Sequence, residues 1–136
     1  MARDTIPDRV LRYGQSMASA PAMYQRVDEN WQVVTWAQYA ERSRLFAGAL
    51  IGLGYEPGDG VAIIADNCPE WLYADLGAMM VRAVPAGIYQ TSTPEQVAYI
   101  AHHCEAKVIV VDTPTQWTKV SSQRNNLPHL KRVVAM

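Results

Sequence analysis

The stretch Gly60-Val61-Ala62-Ile63-Ile64-Ala65-Asp66 decides the fold. Successive side chains of a strand point to opposite faces, so five apolar residues in a row demand cover on both sides. That is the condition of a parallel sheet flanked by helices. Lys107 to Asp112 repeats the pattern with Val108-Ile109-Val110-Val111. Between these two runs, Pro69 opens a helix expected over Glu70 to Arg82, and Val84 to Tyr89 leans towards strand. Thr93-Pro94-Glu95-Gln96 starts another helix, with an N-cap Thr, Pro at the first position and Gln at the third. Val97, Ile100, Ala101 and Cys104 share one face of it.

Upstream, Thr5-Ile6-Pro7-Asp8 reads as a capped start, and Val10, Tyr13 and Met17 recur at helical spacing, giving a helix over Ile6 to Ala18. Ala22 to Val27 and Trp31 to Thr35 form two β-leaning runs about the turn Asp28-Glu29-Asn30, a hairpin. Thr35-Trp36-Ala37-Gln38 is a capping box, and Tyr39, Phe46 and Leu50 are the expected buried stripe of the helix that follows. Gly52 and Gly54 stop it. Downstream, a helix is expected over Thr115 to Gln123, Ser121 to Asn126 as a connecting loop, and a last strand over Leu130 to Met136. The order gives an α/β fold: a mainly parallel sheet flanked by helices, with an N-terminal β-hairpin.

The 136 residues suit one domain, read as a single α/β unit over 1–136. Twelve basic against thirteen acidic residues leave a net charge of -1, without the basic surplus of a non-specific nucleic-acid binder. Two cysteines, Cys68 and Cys104, are too few for a disulfide scaffold. No apolar run is long enough to cross a bilayer, and Met1-Ala2-Arg3-Asp4 lacks the apolar core of a secretory signal, so the expected location is cytoplasmic. The chain stops at Val133-Val134-Ala135-Met136, inside or at the edge of an expected buried strand. A piece of a longer protein and a small domain with a final edge strand both fit that ending.

Few residues carry a readable chemical pattern. No Gly-Lys pair exists for a phosphate loop, and Gly52, Gly54, Gly58 and Gly60 follow a helix where a dinucleotide turn must follow a strand. His102, His103 and Cys104 diverge on a helix and lack a second ligand cluster. Gly14-Gln15-Ser16-Met17-Ala18 is a broken nucleophile elbow inside a helix. Met79 and Met80 read as core filling. Trp31, Trp36, Trp71 and Trp117 are scattered over different elements and make no stacking ladder. Asp66, Asp75 and Asp112 are candidate acid–base groups. Asp66 and Asp112 are favoured because they end strands, where α/β sheets place ligands; the alternative is a carboxylate capping a turn.

Motifs in sequence order carry more. Gly58-Asp59-Gly60-Val61-Ala62-Ile63 leads to Asn67-Cys68-Pro69-Glu70-Trp71 and Ala74-Asp75-Leu76-Gly77-Ala78. Then come Val84-Pro85-Ala86-Gly87-Ile88-Tyr89 and Thr91-Ser92-Thr93-Pro94-Glu95-Gln96-Val97-Ala98-Tyr99-Ile100. This string resembles the N-terminal portion of AMP-forming acyl-CoA synthetases, best the long-chain fatty acid:CoA ligase branch. Thr5 to Asp8, Trp31, Thr35 to Tyr39 and Ala106 to Asp112 support it. Arg82 departs, standing where the family usually has a small residue, often Gly. Ser16 to Pro21 is also less polar than usual there.

The resemblance implies a parent enzyme that joins a fatty acid to AMP from ATP, releasing pyrophosphate, and then forms the CoA thioester. Cofactors ATP, Mg²⁺ and CoA are implied for that parent and none for this piece. The family's phosphate loop, adenine pocket, ribose-binding Asp and mobile Lys all lie beyond this region. No residue of this chain therefore receives a catalytic, cofactor-binding or metal role, and the isolated chain is expected to be inactive. The implied partners are the remainder of the enzyme and its substrates, with peripheral membrane contact of the parent left open. Two other readings compete: a stand-alone binding or interaction module that reuses the fold, and a scaffold that self-associates through exposed apolar surface, with lipid binding as a variant.

Overall fold

A computed structural model describes residues 4–136, so the reading of Met1-Ala2-Arg3 falls outside the described residues. The elements run in the expected order: α1 Ile6–Ser16, β1 Pro21–Val27, β2 Asn30–Thr35, α2 Trp36–Gly52, β3 Gly60–Ile64, α3 Pro69–Met80, β4 Val84–Gly87, α4 Pro94–His103, β5 Ala106–Val111, α5 Pro114–Ser122 and β6 Arg132–Ala135. β1 and β2 pair antiparallel as a separate hairpin. The other four strands form one parallel sheet in the order β4-β3-β5-β6.

The two central strands explain the unbroken apolar runs. Ala62 and Ile64 of β3, with Ile109 and Val111 of β5, face a cluster completed by Val97 and Ala101 of α4 and Val120 of α5. Val61 and Ile63, with Val108 and Val110, face the other side, against Leu50 of α2 and Ala74 and Ala78 of α3. These strand residues are buried on both faces. Full burial of each Val or Ile contributes about 1.5–3 kcal/mol against exposure. α1 lies outside, packing Val10 against Ala40 of α2 and Leu76 of α3.

Boundaries moved for identifiable reasons. α1 ends at Ser16 because Met17 leaves helical geometry while its N–H still reaches Tyr13 O. The carbonyls of Ala18 and Ala20 then accept from Ala37 and Trp36, satisfying two N–H groups in the first turn of α2. α3 ends at Met80, two residues early, because Arg82 takes a positive φ of 61° and its carbonyl accepts from Gly58 at 2.9 Å. β4 stops at Gly87, although Ile88 still donates to Ile63 O. Ser121 and Ser122 belong to α5, and Arg124–Asn126 form a single 3-10 turn where a loop was expected.

The stripe of α2 is a correction. Its buried residues are Ala40, Ser43, Ala47 and Leu50, while Tyr39 and Phe46 are half-buried at its margin. Large residues are excluded from the seam because α3 approaches closely at Gly77. A Cβ there would lie 2.6 Å from the Ser43 carbonyl oxygen. Gly60 is similarly confined: a Cβ would be driven into the carbonyl of Cys104, where β3 meets the entry to β5. Below that end of the sheet, Lys107 pairs with Asp59 at 2.6 Å, and both are largely buried. Burial alone would raise the Asp59 carboxyl, but the Glu56 amide and the Lys107 ammonium hold it below the ordinary range. Among the described residues, no helix is long and apolar enough to cross a membrane.

Candidate functional site

The C-terminal ends of β3, β4 and β5 bring together residues far apart in the chain. Asp66 follows β3, Gln90 follows β4 and Asp112 follows β5. The Asp66 amide donates to Asp112 Oδ2 at 2.8 Å, and Gln90 Nε2 donates to Asp66 Oδ1. From α5, Gln116 Nε2 donates to the Gln90 carbonyl at 3.2 Å, and Lys119 Nζ donates to the same oxygen. Gln90 thereby joins the ends of β3 and β4 to α5, and Asp66 joins the end of β3 to that of β5. Gln116 is 5% exposed, and its Oε1, like Asp112 Oδ1, is buried with no hydrogen-bond partner.

Above this network lies a cleft of about 390 Å³ lined by Ala65, Asp66, Asn67, Trp71, Gly87, Ile88, Tyr89 and Gln90. Trp71 lies across β4 at Gly87, where a Cβ would sit 3.1 Å from the indole. Tyr89 stands 84% exposed at the rim. The position is where an open parallel sheet places ligands, outside the carboxyl ends of its strands. Among the described residues, the lining holds one carboxylate and no cation, and Lys119 is engaged with the Gln90 carbonyl. These residues therefore do not form a triphosphate site by themselves.

Of the three candidate carboxylates, the structure unites Asp66 and Asp112 and leaves Asp75 apart. Asp66 and Asp112 tie separate loops together, and neither caps its own next turn: Asp112 accepts from the Asp66 amide, Asp66 from Gln90, and Thr113 caps α5. Asp75 is half-buried on α3, and burial pushes its carboxyl above the ordinary value. Gln90, Gln116 and Lys119 carried no readable signal, because glutamine and lysine near strand ends are common and only the register of β3, β4 and β5 brings them together.

The remaining candidates disperse. His102 stacks on His129 with ring centroids 5.9 Å apart, whereas His103 stacks on Tyr99 at 6.1 Å. Cys104 caps α4, donates to Ala101 O at 3.5 Å, and has its thiol raised by burial. Cys68 is the N-cap of α3, with Sγ 3.9 Å from Met136 Sδ, and burial likewise raises it. Among the described residues, no group of three His, Cys, Asp or Glu side chains could hold a metal ion. Gly54 and Gly58 have positive φ in the turn between α2 and β3. Gly14 lies within α1, where a Cβ would meet Ala40 at 2.6 Å, and Ser16 Oγ bonds the Arg12 carbonyl. Met80 packs with the α1 cluster.

Residues 12–136 match the family model for AMP-binding enzyme. The rat long-chain-fatty-acid–CoA ligase ACSBG1 is 42% identical over 106 residues, covering 78% of this chain and 15% of its own length. The Drosophila melanogaster ligase heimdall is 32% identical over 136 residues, covering 97% of this chain and 20% of its own. The chain thus spans between a seventh and a fifth of these relatives. Among solved structures, the anthranilate CoA ligase AuaEII in complex with anthranoyl-AMP superposes with a TM-score of 0.86 at 23% identity, over 100% of this chain and 26% of that one. A putative long-chain-fatty-acid CoA ligase from Rhodopseudomonas palustris gives 0.85 at 22%, over 98% of this chain and 33% of that one. At those identities the structures show a shared fold.

Proposed function

This chain belongs to the AMP-binding enzyme family, and on that premise we propose that it is the N-terminal portion of an AMP-forming long-chain fatty acid:CoA ligase. The observation that carries the reading is 42% identity to a ligase of that description across 78% of the chain. In this reading residues 1–136 form one α/β unit of a larger adenylate-forming domain. The complete protein converts ATP, fatty acid and CoA to acyl-CoA, AMP and pyrophosphate, uses Mg²⁺, and works in the cytoplasm with peripheral access to membranes.

The chain's own contribution is architectural. Its β3–β4–β5 ends, locked through Asp66 and Gln90, give one rigid wall to a ligand cleft. The wall offers acceptors and an aromatic rim and supplies no phosphate-binding cation, so it cannot stabilise the charge of a transferring phosphoryl group. The isolated chain accordingly neither adenylates a fatty acid nor forms a thioester. The test compares pyrophosphate release and acyl-CoA formation by the isolated chain and by a protein that continues its reading frame to the relatives' length. Activity in the longer protein alone is the expected result. Thioester formation by the 136 residues would overturn the assignment of roles, and an inactive, folded longer protein would overturn the ligase reading.

A further inference from the structure

The hairpin and the start of α3 face each other across a second cleft of about 550 Å³, within the size range of small-molecule sites. Register places Tyr24 opposite Val33 and Arg26 opposite Trp31, so Tyr24, Arg26 and Trp31 share the outward face of the hairpin. Trp31 is 68% exposed there, an unusual position for the largest apolar side chain. The facing wall comes from Trp71 and Leu72 of α3. Among the described residues, Arg26 is the one charged residue of the lining.

The charge of this cleft has a definite sign. Arg26 Nη2 reaches Glu29 at 3.2 Å, but Glu29 is almost wholly exposed and such pairs contribute little. A guanidinium has five N–H donors, so this contact leaves capacity for a second carboxylate. The first turn of α3 carries the carboxylate of Glu70, which offsets the dipole of that helix, so the sign of the lining comes from Arg26. Aromatic and aliphatic walls with one cation call for an anion carrying an apolar body.

We propose that this cleft binds an amphipathic carboxylate, a fatty acid, with its carboxylate at Arg26 and its chain against Trp31, Trp71 and Leu72. The charge and lining come from the cleft; the choice of a fatty acid among amphipathic anions rests on the ligase reading above. The site is separate from the strand-end cleft, although Asn67 and Trp71 border both.

Tryptophan fluorescence of the 136-residue chain, titrated with decanoate below its micellar range, tests this. Trp31 and Trp71 report from the walls. Decanol and decyltrimethylammonium serve as neutral and cationic comparisons. Decanoate should bind saturably and more tightly than decanol, and the cation should not bind. Arg26→Gln should weaken decanoate roughly tenfold while leaving decanol unchanged, as expected for loss of a charge-assisted contact. Trp31→Phe should reduce the signal change and leave the part reported by Trp71. Both side chains are solvent-facing, and unchanged circular dichroism of the variants confirms that the fold persists. Equal affinity for decanoate and decanol, no effect of Arg26→Gln, or no saturation would each overturn the proposal. Inactivity of the longer protein would count against the ligase reading and leave this isotherm standing. A flat isotherm beside an active longer protein would remove this site alone.

Discussion

Arg82 is one of three non-glycine residues with a positive φ among the described residues. Its φ of 61° falls in the left-handed region, where an L side chain costs about 1–2 kcal/mol, and its carbonyl is fixed there by the amide of Gly58. Glycine adopts this angle without that cost. Arg82→Gly should relieve the strain, while the looser unfolded chain returns roughly 0.5–1 kcal/mol of it. The expected net gain is about 0.5–1 kcal/mol, read as a rise of a few degrees in thermal midpoint. An unchanged or lower midpoint would show that Arg82 contributes contacts worth more than the strain.

At the scale of elements, the seam between α2 and α3 is the most demanding contact. Gly77 has the Ser43 carbonyl oxygen 2.6 Å from where its Cβ would stand, and backbone cannot give way as a side-chain tip can. Gly77→Ala should therefore force the helices apart at a cost of roughly 1–3 kcal/mol, despite alanine's better helix propensity. Gly48 provides the opposite case on the same helix pair. It lies inside α2, and nothing stands within 4 Å of its would-be Cβ. Gly48→Ala should stabilise by about 0.5–1 kcal/mol. Urea titration of both variants checks the pair, and equal signs would contradict this account of the seam. The seam also explains why periodicity misread α2. Tyr39 and Phe46 keep helical spacing with Leu50, yet the close approach of α3 reserves the centre for Ala40, Ser43 and Ala47.

For the whole molecule, the two-sided apolar runs of β3 and β5 carried the architecture, because each residue type there follows from burial on both faces. The capping boxes at Thr5, Thr35 and Thr93 likewise form as local chemistry requires. The strand-end network was legible only in part. Asp66 and Asp112 were marked by their place at the ends of apolar runs. Gln90 and its partners depend on which strands become neighbours, and local sequence does not encode that. The cleft beside Arg26 was invisible for the same reason: its walls are separated by about forty residues and meet only once the hairpin is docked.

That docking has a kinetic consequence. β1 and β2 share no ladder with the parallel sheet, and two-stranded hairpins are marginal on their own. The hairpin is anchored beside the start of α2, where Trp36 and Ala37 donate to Ala20 and Ala18. It can therefore open while the β3–β5 core stays closed, a local excursion of low free energy. Native-state hydrogen exchange should show the β1 and β2 amides unprotected well before those of Val61 to Ile64 and Val108 to Val111. Exchange of all of them at one common rate would mean the hairpin is bound into a single cooperative unit. If it opens alone, anything lodged against Trp31 rests between a yielding wall and a fixed one.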